Sequence, residues 1–108
     1  MKGRAEEFIP PSRLKPGLPK EVEVPHPDYS PGRRPRIDRL DSEAGEVIEI
    51  KPDTPYWRKQ GMVEAQQYAE DMNKYGHPPA SGGKWKPRVV FYDLETLMGF
   101  LRGIGYLE

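Results

Sequence analysis

The chain contains no cysteine, which excludes disulfides, thiolate metal sites and a cysteine nucleophile together. It also lacks net charge: 17 Lys and Arg balance 17 Asp and Glu, so any affinity for nucleic acid must come from local patches. Nowhere do about 18 consecutive apolar residues occur, the length of a membrane-crossing helix. The start, MKGRAEEFIPPS, lacks the apolar run of a secretory signal. These absences predict a soluble chain that does not insert into membranes and whose export needs another route. Missing too are a phosphate-cradling glycine loop and a nucleophile elbow around Ser12, Ser30, Ser42 or Ser81, so nucleotide binding and serine hydrolysis have no support. His26 in PHPD and His77 in GHPP sit in turns, with no spacing to a second ligand.

What is present fits one core. A chain of 108 residues buries only about two thirds of its unfolded surface and has no material for a second core. Its mean hydropathy of −0.85 puts it at the polar edge of globular composition, short of the disordered class. Residues 1–32 hold seven of the thirteen prolines, and proline both fixes φ and removes a backbone donor. This segment is expected to be an extended arm or linker, with Lys20 to Val24 alternating like a short strand; residues 33–108 are expected to form the folded domain.

From Arg36 the patterning sharpens. Arg36 to Asp41 and Glu46 to Lys51 read as strands joined by the turn SEAG, with Pro52 ending the second. DTPYW reads as a connection. RKQGMVEAQQYAEDMNKYG reads as a helix with Met62, Ala65, Tyr68, Ala69 and Met72 on one face, closed by Gly76. RVVFY is a strand, and Asp93 caps a last helix whose apolar stripe is Leu94, Leu97, Met98 and Leu101 and whose end is Gly103. The class is α/β or α+β: a small mixed sheet carrying a charged hairpin, flanked by helices, after a proline-rich arm.

The hairpin carries the chemistry. Strand alternation puts Val47, Glu49 and Lys51 on one face, and sends Ile48 and Ile50 into a core on the other. With a four-residue turn Asp41 pairs with Glu46, and Asp38 falls opposite Glu49. A two-residue turn instead sets Asp38 opposite Lys51, and a bulge or three-residue turn brings Asp41 into the place of Asp38. Cross-strand neighbours have Cβ atoms about 5 Å apart, so two carboxylates there can share one hard divalent ion such as Mg²⁺ or Mn²⁺. The ion acidifies a water, and Lys51 faces the same phosphoryl charge: a set suited to phosphodiester hydrolysis. The plainer reading is a solvated hairpin face on which Lys51 neutralises Asp38 and Glu49.

RPRID, then IEIK, then GMVEAQQYAEDMN resembles the PD-(D/E)XK nuclease superfamily, and most of all its restriction-endonuclease-fold toxin domains from bacterial polymorphic toxins. The resemblance spans about Arg34 to Asn73. It implies a restriction-endonuclease-like core, a metal ion bound by Asp38 and Glu49, Lys51 as a catalytic residue and DNA as the substrate. Such relatives often carry a glutamine four residues before the helix tyrosine. Here Glu64 holds that spacing to Tyr68, with Gln66 and Gln67 nearby, so Glu64, Gln66 and Tyr68 are the accessory candidates. An acidic residue from an N-terminal helix is also common; Glu6 or Glu7 would stand in, or that segment lies in a longer parent chain. The resemblance implies a toxin made in a bacterial cytoplasm, delivered by a secretion system into the cytoplasm of a target cell and paired with an immunity protein, the arm serving as its tether.

Two basic groups are candidate nucleic-acid contacts, Arg33, Arg34 and Arg36 before and on the first hairpin strand, and Lys84 and Lys86 in the glycine-rich loop around Trp85. Competing readings are a non-catalytic domain that uses the same sheet to bind protein or nucleic acid, and an RNase with the same site.

Overall fold

The structure, a computed structural model, describes residues 9–103. Its elements in chain order are β1 (Lys20–Glu23), β2 (Arg36–Asp41), β3 (Glu46–Pro52), α1 (Pro55–Tyr75), β4 (Lys86–Tyr92) and α2 (Leu94–Gly103). The strands form one mixed sheet in the order β1-β2-β3-β4. β1 and β2 pair antiparallel, as do β2 and β3, while β3 and β4 run parallel with α1 as the crossover between them. The class is the α+β arrangement expected from the pattern of elements.

The hairpin turn is the four-residue one. Asp41 pairs with Glu46, Leu40 with Val47 and Arg39 with Ile48, because Ser42–Gly45 makes a self-contained turn. In it the Ala44 N–H donates to Asp41 Oδ1 at 3.0 Å, and Gly45 takes a left-handed φ of 71°. Asp41 is thereby the cap of the turn, and the registers that would have used it in the site do not occur.

α1 begins three residues before the expected start. Thr54 is its N-cap, its side-chain oxygen accepting the Trp57 N–H at 3.2 Å, and Pro55 stands in the first turn. Proline tolerates that position since its missing donor is one of the helix's unpaired ones anyway. The face laid on the sheet is Gly61, Ala65, Ala69 and Met72, all buried; Met62, expected on that stripe, is 37% exposed. The small residues let the helix axis come close: a Cβ on Gly61 would meet Lys51 Cγ and Val89 Cγ1, each at 3.2 Å. Beyond the helix, Trp85 is buried, exchanges two hydrogen bonds with Asn73 and donates its indole N–H to the His77 carbonyl at 2.7 Å. Asp93 caps α2 as expected, accepting the Glu95 N–H. Leu94 is largely exposed, and the side chains of Leu97 and Leu101 lie outside the described residues.

The sheet is covered differently on its two faces. On one face Ala69 and Met72 of α1 pack with Val24, Ile37, Val47 and Trp85. On the other face Ile48, Ile50 and Val90 pack against Ile9 and Leu14, with Leu18 alongside. The proline-rich segment, expected as an arm or linker, therefore packs from Ile9 onward as cover for the sheet, and β1 extends the sheet at Val22 and Glu23. Physically the segment suits this: a proline-rich backbone has fewer donors needing ladder partners, and its apolar side chains do the covering. Arg13 ties it down, donating to the Phe91 carbonyl at 2.7 Å and accepting from Arg88 through its own carbonyl. Glu6 and Glu7 lie outside the described residues. Leu14→Ala is expected to destabilise the fold by about 2–3 kcal/mol, read as a shift in urea midpoint; an unchanged midpoint would mean that the segment is a tether after all.

Candidate active site

Asp38, Glu49 and Lys51 come together beneath α1. Asp38 and Glu49 are each 1% exposed and Lys51 7%, so the charged face of the hairpin is covered, not solvated. The β2–β3 ladder gives way to the carboxylates here. Beyond the Arg39–Ile48 pair, the Asp38 N–H donates to Glu49 Oε2 at 2.9 Å and the Ile50 N–H donates to Asp38 Oδ2 at 2.8 Å. Each acid thus holds one backbone donor of the opposite strand, which fixes both side chains without a cation.

Three residues of α1 lie over Lys51 at helical spacing: Trp57, Gly61 and Glu64. The Lys51 ammonium donates to Glu64 Oε1 at 3.0 Å, stands 3.8 Å from Glu49 Oε1 and lies 4.3 Å from the centre of the Trp57 ring. Tyr68, one turn on, donates its hydroxyl to Glu64 Oε1 at 3.3 Å. Glu64 and Tyr68 therefore join the cluster, while Gln66 is exposed and Gln67 donates to Asp71 Oδ1 at 3.2 Å. Trp57 is the residue that sequence reasoning missed. Its signal was the Thr54–Pro55 cap, which starts the helix early enough to put Trp57 one turn ahead of Gly61.

The basic candidates separate. Arg36 is exposed at the head of β2, two residues before Asp38; Arg33 is exposed, and Arg34 is half-buried with its Nε–H on the Tyr29 carbonyl. Lys86 pairs with Glu46, five residues along β3 from Lys51 or about 16 Å, and Lys84 lies further out in its loop. The loop lysines and the arginines sit toward opposite ends of the sheet. His26 has a local role: Nδ1 accepts the Asp28 N–H at 3.1 Å, and the ring contacts those of Tyr29 and Tyr75.

The electrostatics follow from burial. The Glu49 carboxyl is pushed up to about 8 by desolvation, by the negative charge of Asp38 and by its hydrogen bond with Glu64, against the Asp38 N–H and Lys51, which favour the anion. Burial raises Glu64 as well, but hydrogen bonds from Glu49, Lys51 and Tyr68 outweigh it and hold Glu64 below the ordinary carboxylate value. Glu49 is thus the protonated partner and Glu64 the anion. Desolvation and the two glutamates push the Tyr68 phenol up, so it remains a donor.

This arrangement defines a small nuclease-like α+β domain, with acids and a lysine converging at the splayed end of a hairpin. The chain belongs to the family described as restriction endonuclease fold toxin 9, whose model matches residues 2–92 and so takes in the proline-rich segment as well. That description points to a nuclease toxin domain. No curated protein and no solved structure matches the chain. Among the described residues no helix is long and apolar enough to cross a membrane.

The proton on Glu49 makes a measurable difference. Between the ordinary carboxyl value and about 8, the folded state holds a proton that the unfolded chain has released, so stability falls as pH rises through that window. Glu64, shifted down, acts only below it, where its contribution is lost as pH falls. Glu49→Gln keeps an acceptor for the Asp38 N–H and a donor for Glu64. It should therefore melt higher than the parent at about pH 9 without divalent ions, by about 4 °C or more, with the gap closing toward about pH 5. Equal melting at the alkaline end would contradict the protonation assigned to Glu49.

Proposed function

We propose that this chain is a metal-dependent endonuclease hydrolysing DNA phosphodiester bonds, the toxin domain of a bacterial antagonism effector. The observation that carries the reading is the burial of Asp38, Glu49 and Lys51 side by side under α1. As a stabilising device the cluster is poor. Each ion taken from water costs several kcal/mol, and apolar residues of the same volume commonly serve a fold as well or better. As a reaction site it is sound, because geometry held at such cost is what pre-organised charge stabilisation requires.

The residues fit a divalent ion. Asp38 and Glu49 are buried beside one ammonium, and burial first, then the negative charge of Asp38, raises the proton affinity of Glu49, a cost that a cation bound between them would offset. Asp38 and Glu49 would hold Mg²⁺ or Mn²⁺ through hard oxygen donors. Among the described residues no group of three or more His, Cys, Asp or Glu is placed to hold a metal, so the other positions fall to water and phosphate oxygens, as Mg²⁺ favours. When bound, the ion acidifies a water and offsets phosphoryl charge.

The chain's own residues do the rest. Lys51 presents its ammonium to a phosphate oxygen or to the attacking water. Glu64 and the Trp57 face restrict where that ammonium can go, and the Tyr68 hydroxyl steadies Glu64. The covering helix lowers water access and strengthens each of these interactions. The toxin reading extends to delivery of the chain by a secretion system into a target cell, and to a cognate immunity protein that shields the site in the producer.

Plasmid DNA incubated with Mg²⁺ should be cut by the parent and spared in chelator. Lys51→Ala and Glu49→Gln should each lose at least about 100-fold in rate, with unchanged circular dichroism. Cleavage that persists in chelator and in both variants would end the metal-dependent reading of this site, and a parent that leaves plasmid intact would end the nuclease reading; an RNA lane run in parallel reports whether the same chemistry extends to ribose strands.

A further inference from the structure

The N-terminal turn of α1 carries an aromatic pair of which the hydrolytic chemistry uses only Trp57. Tyr56 is 62% exposed, the most open of the large apolar side chains described. Its ring stands edge-on to Trp57, centroids 4.9 Å apart at 87°, and Trp57 in turn lies against the Lys51 ammonium at 4.3 Å. These two steps, 4.3 and 4.9 Å, keep the Tyr56 ring within about 9 Å of the amine. An exposed aromatic ring thus lies, through Trp57, about one nucleotide's length from the Lys51 amine. The surroundings suit an anionic strand: the first turn of α1 contains no acid, and Arg58 and Lys59 follow the pair directly. Arg58 is braced by both oxygens of Asp53, at 2.7 and 2.9 Å, and lies over the Phe91 ring.

Resting on the nuclease reading, we infer that Tyr56 is a stacking platform for an unpaired nucleobase beside the scissile phosphate, so that the substrate strand is single-stranded there. Within a duplex both faces of a base are covered by its neighbours, and only an unpaired or extruded base offers a face to a tyrosine. Base–aromatic stacking is sequence-tolerant, so the platform selects strand state and not sequence. Trp57 is a positioning residue in this scheme, standing between the Tyr56 ring and the Lys51 amine.

The test uses Glu49→Gln protein in chelator, so that binding is read apart from cleavage. Labelled oligonucleotides of one sequence, as single-stranded DNA, duplex DNA and single-stranded RNA, are titrated by anisotropy at fixed ionic strength. Adding Tyr56→Ala should weaken single-stranded DNA binding about tenfold and leave duplex binding within about twofold, while Tyr56→Phe, which keeps the ring, should restore it. The same loss on RNA would extend the platform to ribose strands. Equal loss on single strand and duplex, no loss on the single strand, or no binding of any oligonucleotide overturns the platform. Tyrosine-dependent binding by a parent that never cuts plasmid would keep the platform and remove the nuclease reading instead.

Discussion

Two side-chain-to-backbone hydrogen bonds hold the site together. Where the β2–β3 ladder ends, Glu49 accepts the Asp38 N–H and Asp38 accepts the Ile50 N–H. Backbone donors that a regular ladder would pair with carbonyls are satisfied by carboxylates instead, so the strands part without leaving those N–H groups unpaired. The same bonds fix both acids without a cation. Desolvation is the cost, and it surfaces as the raised proton affinity of Glu49.

Everything packed around that opening serves to keep it closed to water. α1 comes close because its inward face is Gly61, Ala65 and Ala69, and the aliphatic stem of Lys51 lies directly under Gly61. The stem is buried as packing while its ammonium reaches Glu64 and the Trp57 ring, so one residue belongs to the core and to the site at once. On the far face, Ile9 and Leu14 cover Ile48 and Ile50, the two residues that flank Glu49 in β3. A segment rich in proline thereby supports the strand that bears the acid.

The hairpin was legible from residues 36–52 because its signals are local. Alternation put Glu49 and Lys51 on one face, and a turn of four small or polar residues brought Asp38 opposite Glu49. The helix was legible in its middle but not at its start. DTPYW read as a connection, whereas Thr54 and Pro55 are a cap and a first-turn residue. Trp57 went with that boundary. The proline-rich segment misled for a related reason: proline excludes regular ladders and helices, but it does not exclude packing.

Residue order alone determined which side chains share a strand face, where the hairpin turns, and that a lysine follows an acid two positions on. Those properties depend on neighbours within a few residues, where backbone geometry leaves little choice. Whether the charged face met water or a helix was a tertiary matter. It rested on the closeness of α1, on the spacing that brings Trp57, Gly61 and Glu64 over Lys51, and on a distant segment covering the reverse side of the sheet. Burial and proton affinity are properties of assembled surroundings, and no stretch of sequence contains its own dielectric.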